Sequence, residues 1–300
     1  MYILEQLSNK PHLYTKLISE IENAYEYERK FSYDADFYPL MNKRNWDNCY
    51  LILEVNSNSK EVLIGHIGSL PRKICDQKNI HSCIFIGGIY IKEQYRKKGI
   101  FKEMFKKFIS KISSKYSYAL LWSEHLSLYQ TFGFKSLSNC RLRICQSNTK
   151  KELLNRGYKQ LDQNNLSSFM RNKIKSIYNL EISSKYITPK RENRDWNDLF
   201  QSSSINLFIK KDKEEIVGYC LLGKGQDYQD IIHESAFKKQ YHEEYKYISS
   251  LSTIIYDAEI PVSDLDILIP TALVLPLGNE TDLINACSSK PLFISGADSI

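Results

Sequence analysis

The sequence predicts an α/β chain built of two related units. Three observations point there. Strand-like apolar runs alternate with segments of helical period along both halves. A β-hairpin pattern in the first half has an echo in the second. Between them the polar stretch QSNTKKELLNRG reads as a linker, so units are expected at 1–148 and 149–300. At 300 residues, with 42% hydrophobic and 25% charged side chains, the chain has the length and composition of two ordinary globular domains.

The elements follow in order. Apolar residues at 13, 17, 18, 21 and 25 share one helical face, which predicts a first helix over 13–27. NCYLILEV (48–55), a polar turn and VLIGHIGSL (62–70) read as a hairpin of two largely buried strands. A third strand, SCIFIGGIYI, covers 82–91. Apolar residues at 100, 101, 104, 105, 108, 109 and 112, with lysines between them, predict an amphipathic helix. A short strand at 117–122 and a short helix at 126–132 come next. The second half opens with a strand-like YKQL and a helix over 166–180. INLFIK, a turn and IVGYCLLG then repeat the first hairpin, with Gly65 and Gly218 at matching places.

Composition excludes several classes. The longest apolar stretch, DILIPTALVLPLG, carries Pro270 and Pro276 and falls short of the roughly 20 residues of a membrane span. Glu5 interrupts the N-terminal apolar residues, so no signal-peptide pattern is present and a cytoplasmic protein without membrane partners is expected. Seven scattered cysteines lack CxxC or Cys/His spacing, which reads as reduced thiols and no metal site. A net charge of +6, from 41 basic and 35 acidic residues, is too even to imply nucleic acid but tolerates a polyanionic ligand.

The most informative stretch is IYIKEQYRKKGIF (89–101), a buried strand joined to an amphipathic helix by a short basic loop ending in glycine. The free amides of a helix N-terminus and its dipole attract phosphate, and Arg96, Lys97 and Lys98 add charge while Gly99 permits close approach. Farther on, LLWSEHLSLYQTFGF is a strand followed by a helix with Tyr129, Gly133 and Phe134. The pair resembles the GNAT superfamily of acyl-CoA N-acyltransferases, with a cofactor loop Q/R-x-x-G-x-G/A and a later YxxxGF helix. Arg96-x-x-Gly99-x-Phe101 matches the first, with Phe101 at its small position, and 129–134 matches the second.

The resemblance covers about 1–145 and implies tandem GNAT-like folds, each a central mixed sheet flanked by helices. It implies acetyl-CoA as co-substrate, its pyrophosphate held by amides of Tyr95, Arg96, Lys97, Lys98, Gly99, Ile100 and Phe101. The pantetheine arm would pair with the main chain of Ile89, Tyr90 and Ile91. Tyr129 would protonate the leaving thiolate, since a phenol remains a proton donor at neutral pH. A primary amine, on a small molecule or a peptide, would attack the thioester directly. Strand 83–91 offers no carboxylate as general base, which leaves Glu124 as the local candidate and His125 as a cap. In the second half Asp227, His233 and Glu234 follow a buried strand and are candidates to border the acceptor pocket, with Asp227 binding the amine and His233 or Glu234 deprotonating it. That half has no basic loop ending in glycine, as expected of a degenerate GNAT-like unit without a cofactor loop. An inactive CoA-binding or sensor module and a Fem-type aminoacyl transferase are the rival readings.

Overall fold

Apolar stripes at strand and helix period fold where one continuous sheet can bury them. The computed structural model describes all residues except 77, 227, 297, 299 and 300. The first half comprises β1 (Tyr2–Gln6), α1 (Tyr14–Ala24), α2 (Tyr33–Asp36), α3 (Tyr38–Met41), β2 (Cys49–Val55), β3 (Glu61–Cys75), β4 (Ile80–Ile91), α4 (Ile100–Ile112), β5 (Tyr118–Leu121), α5 (Leu126–Gln130) and β6 (Lys135–Arg143). The second comprises α6 (Thr149–Asn155), β7 (Lys159–Leu161), α7 (Ser168–Tyr178), β8 (Thr188–Pro189), α8 (Asn193–Gln201), β9 (Asn206–Asp212), β10 (Glu215–Leu222), β11 (Ile232–Phe237), α9 (His242–Ile248), β12 (Thr253–Ile255), β13 (Asp266–Pro276) and α10 (Asp282–Ser289).

Twelve of these strands form one path, β1-β2-β3-β4-β5-β13-β6-β12-β11-β10-β9-β7, and β8 pairs with β3 off it. The two ends mirror each other. β1 to β4 are mutually antiparallel and β5 returns parallel to β4, with α4 in the crossover. Likewise β7, β9, β10 and β11 are antiparallel, and β12 returns parallel to β11 across α9. The hairpin echo extends to irregularities: a register shift passes over Ile64 just before Gly65, and another passes over Val217 just before Gly218. The chain is thus a tandem of GNAT-like α/β units with a mixed sheet flanked by helices.

Helix faces explain the layers. On α4 the side chains of Ile100, Met104, Phe105, Phe108 and Ile112 are buried, while its lysines point outward. Each such burial stabilises by about 1.5–3 kcal/mol relative to exposure. This face and α5 pack on one side of the first unit's sheet, and α1, α2, α3 and α10 on the other.

Several details differ from the sequence reading. The first helix ends at Ala24, and Tyr25 begins an irregular stretch. β1 lies in a segment that the periodicity did not single out. DILIPTALVLP is strand β13, and it lies between β5 and β6 of the first half. The first unit's sheet therefore includes a strand from beyond residue 148. His233 and Glu234 lie within β11 rather than in a run after a strand. Among the described residues no helix is long and apolar enough to cross a membrane.

Candidate functional site

The site is built where β4 outruns its neighbour. Parallel pairing with β5 ends at Ile86–Leu121, yet β4 continues to Ile91. Beyond the paired stretch Gly88 adopts φ +57°, which L side chains rarely reach, and the register with β3 shifts between His66 and Gly68. This bulge turns residues 87–91 away from β5 and leaves that edge of β4 without a strand partner. The carbonyl of Ile89 accepts a 2.7 Å hydrogen bond from Tyr25 Oη. That of Ile91 accepts one from Arg96 Nε at 2.9 Å. Tyr90 points its side chain into the core.

The loop from β4 to α4 ends in a bare helix start. Tyr95 closes a 3₁₀ turn over Glu93–Tyr95 and anchors it through a 2.6 Å bond from its hydroxyl to Glu54 Oε2. Arg96, Lys97 and Lys98 are exposed, with the Lys98 ammonium 5.5 Å from the centre of the Tyr95 ring. Gly99 is the N-cap at φ +78°, with no side-chain cap and no atom within 4 Å of where a Cβ would stand. The first intrahelical bond is Glu103 N to Gly99 O at 3.1 Å. The amides of Ile100, Phe101 and Lys102 therefore precede the helical ladder and point out of the N-terminus of α4, where the dipole favours anions. An open cradle, free amides and three cations suit a phosphate-bearing ligand.

Tyr129 stands across from this start, on α5, 6% exposed. Its ring lies edge-on to Phe101, Phe105 and Phe134, with centroids 6.4, 5.8 and 6.0 Å away. Phe101, at the position where the motif has a small residue, thus packs the first turn of α4 on α5. Burial, with a smaller contribution from the Tyr25 phenol, pushes the Tyr129 hydroxyl well above its ordinary value. It is a protonated donor throughout the neutral range.

Comparison with known proteins places this arrangement. Residues 12–137 match the family model of the acetyltransferase (GNAT) domain. This stretch of the chain is similar to a GNAT-family domain. No curated protein matches the sequence. Among solved structures, a protein of Enterococcus faecalis described as a probable N-acyltransferase is similar at TM-score 0.63 and 13% identity, over 92% of this chain and 72% of that one. A GCN5-related N-acetyltransferase from Anabaena variabilis is similar at TM-score 0.60 and 14% identity, over 93% and 73%. Saccharomyces cerevisiae N-myristoyltransferase with bound myristoyl-CoA is similar at TM-score 0.56 and 9% identity, over 91% and 82%. At such identities the likeness is one of fold, and it spans both units.

The remaining candidates fall in different surroundings. Glu124, between β5 and α5 of the GNAT domain, is exposed, and so is His125, whose amide bonds Ser123 Oγ at 3.0 Å. Glu234 is buried in the second unit, where Arg191 donates to both its carboxylate oxygens at 2.9 and 2.6 Å and Tyr219 Oη donates at 2.6 Å. Arg191 also bonds both oxygens of Asp298, at 2.9 and 2.7 Å. The carboxylate expected to deprotonate the amine is thus already held by a buried guanidinium. His233 is 1% exposed with its ring edge-on to Tyr228, and burial, together with the Lys224 charge, lowers it to about 3. Asp227 lies outside the described residues. Among the described residues no group of three or more His, Cys, Asp or Glu side chains is placed to hold a metal.

One residue of the GNAT domain escaped the sequence reading. His66 lies in β3 opposite Tyr90, fully buried, with Nδ1 2.7 Å from Gly88 O at the bulge. Burial lowers it to about 4. The available signal was a single histidine within the otherwise apolar VLIGHIGSL.

Proposed function

We propose that the chain transfers an acetyl group from acetyl-CoA to a primary amine in a ternary complex, with Tyr129 as general acid. The observation that supports it is the juxtaposition in the GNAT domain: the unpartnered β4 edge at 87–91 runs to the free amides of α4, and a buried, protonated phenol stands beside them. In this reading the phosphates lie on the amides at Gly99, Ile100 and Phe101, with Arg96, Lys97 and Lys98 as counter-charges. Main-chain groups of Ile89, Tyr90 and Ile91 hold the pantetheine amides, and Tyr25 yields its bond to Ile89 O as they enter. The neutral amine attacks the thioester carbonyl, and the thiolate leaves with the proton of Tyr129. The acceptor is a small-molecule or peptide amine.

The test is CoA release from acetyl-CoA in the presence of a panel of primary amines. Tyr129→Phe is expected to lower turnover by about 10² while leaving acetyl-CoA affinity nearly intact. Equal turnover in the two proteins removes Tyr129 from the mechanism. Release from myristoyl-CoA but not from acetyl-CoA would move the donor to long acyl chains.

A further inference from the structure

The duplication supplies an internal comparison. Gly65 of β3 pairs with Ile91, the last residue of β4, and Gly218 of β10 pairs with Phe237, the last residue of β11. One step along, His66 faces Tyr90 and Tyr219 faces Ala236, so His66 and Tyr219 hold equivalent places. Around Tyr219 the polar groups satisfy one another: its hydroxyl bonds Glu234, and Arg191 ties Glu234 to Asp298. Around His66 they do not. Nε2 of His66, Oη of Tyr33 and Oη of Tyr90 have no hydrogen-bond partner, although their residues are only 0%, 3% and 4% exposed.

Two of these ends lie at the bulge. A Cβ on Gly88 would collide with Tyr33 Oη, and one on Gly68 would come within 2.9 Å of His66 Cε1. All face the side of the sheet covered by α1, α2 and α3, in the same apolar cluster as Leu40 and Leu51. The Tyr33 ring stacks on Tyr25 at 6.3 Å, and Tyr25 holds Ile89 O, so these groups adjoin the free edge of β4. Burying a polar group without a partner costs about 1–3 kcal/mol, and two side by side form a site preorganised for a polar ligand. The carbonyl of Gly88 can only accept, so Nδ1 carries the imidazole proton and Nε2 presents a lone pair.

We propose that the attacking amine docks beside this pair and that Nε2 of His66 takes its proton, with the Tyr33 hydroxyl as a hydrogen-bond partner next to it. The proposal rests on the acyl-transfer reading above. The amine nitrogen forms a bond to the thioester carbonyl carbon as the carbon–sulfur bond breaks. Sulfur leaves with the electron pair and the Tyr129 proton, and the proton lost from nitrogen passes to Nε2 and on to solvent, from which Tyr129 is reprotonated. Burial that keeps His66 neutral leaves its lone pair available at physiological pH.

The test uses the whole protein with ¹⁵N-labelled histidine, titrated with n-butylamine at alkaline pH, where the amine is unprotonated. His66→Asn assigns the His66 resonance and retains the bond to Gly88 O through its own Nδ2. The Nε2 signal of His66 should shift as the amine binds, and an unmoved signal overturns the subsite whatever the turnover. In steady state His66→Asn should lower kcat for amine acetylation by about 10² or more with KM for acetyl-CoA unchanged. Wild-type kcat in that variant overturns the proton-acceptor role. If the wild type releases no CoA with any amine, the acyl-transfer reading fails, and the Nε2 shift still decides whether amines reach His66.

Discussion

Two histidines and a tyrosine show how burial sets chemistry one residue at a time. Tyr129 is kept protonated by its apolar surroundings, whereas His66 and His233 are kept neutral by theirs, at about 4 and about 3. In the unfolded chain both rings titrate near their ordinary value of about 6.5. Below it the unfolded state binds protons that the folded state refuses, so the stability these rings contribute is complete above about pH 6.5 and is lost as pH falls toward 4 and 3. The denaturant midpoint is therefore expected to fall between pH 7 and 4, and His233→Leu should flatten that limb; a midpoint constant over this range would contradict it. The places of Tyr129 on α5 and of Gly99 at the start of α4 were legible because each motif is local in sequence. His66 was not, since its partner Gly88 and its companion Tyr33 come from other elements. Nor was the fate of Glu234, because Arg191 stands 43 residues away in the chain.

At the scale of elements, the fit of sequence to structure follows how much of each element's environment is local. α4 was plain from its period, and the hairpins from their apolar runs and turns, because each buries a face that the sequence itself displays. β13 was opaque. It is paired on both sides along part of its length and still carries Pro270 and Pro276, residues that ordinarily mark an edge or an end. The start of α4 is the element on which the donor reading turns, and its geometry depends on Gly99 at φ +78°. At Gly99 a Cβ meets nothing beyond its chain neighbours, so the cost of Gly99→Val is conformational: about 1–2 kcal/mol for an L residue held left-handed, or relaxation of the loop out of that geometry. Either course misaligns the amides of Ile100 and Phe101. Calorimetry should show CoA binding weakened by more than tenfold, and an unchanged affinity would place the phosphates elsewhere.

Across the whole molecule, the two units are duplicated in fold but interlocked in connectivity. β6 leaves the first unit and pairs through Arg141, Leu142 and Arg143 with β12 of the second. β13 comes back from the second and fills the space between β5 and β6. The crossing is clamped by charge: Asp266, at the start of β13, accepts from Arg141 at 3.0 Å and from Arg143 at 2.6 and 2.9 Å. Those bonds, the Arg143 ones foremost, hold its carboxyl at about 2. The returning segment also supplies Ala272, Val274, Leu283, Leu292 and Ile294 to the core under α1 and α3. A boundary at residue 148 follows the linker but not the sheet. A fragment 1–148 would leave the facing edges of β5 and β6 unpaired and a core short of six buried side chains, these five and Ile187, each worth about 1–3 kcal/mol, against a total stability of only about 5–15 kcal/mol. That fragment is expected to show neither a cooperative melt nor dispersed amide resonances alone, and to regain both when produced together with 149–300. A cooperative transition in 1–148 by itself would mean that the GNAT domain closes its sheet without the exchanged strand.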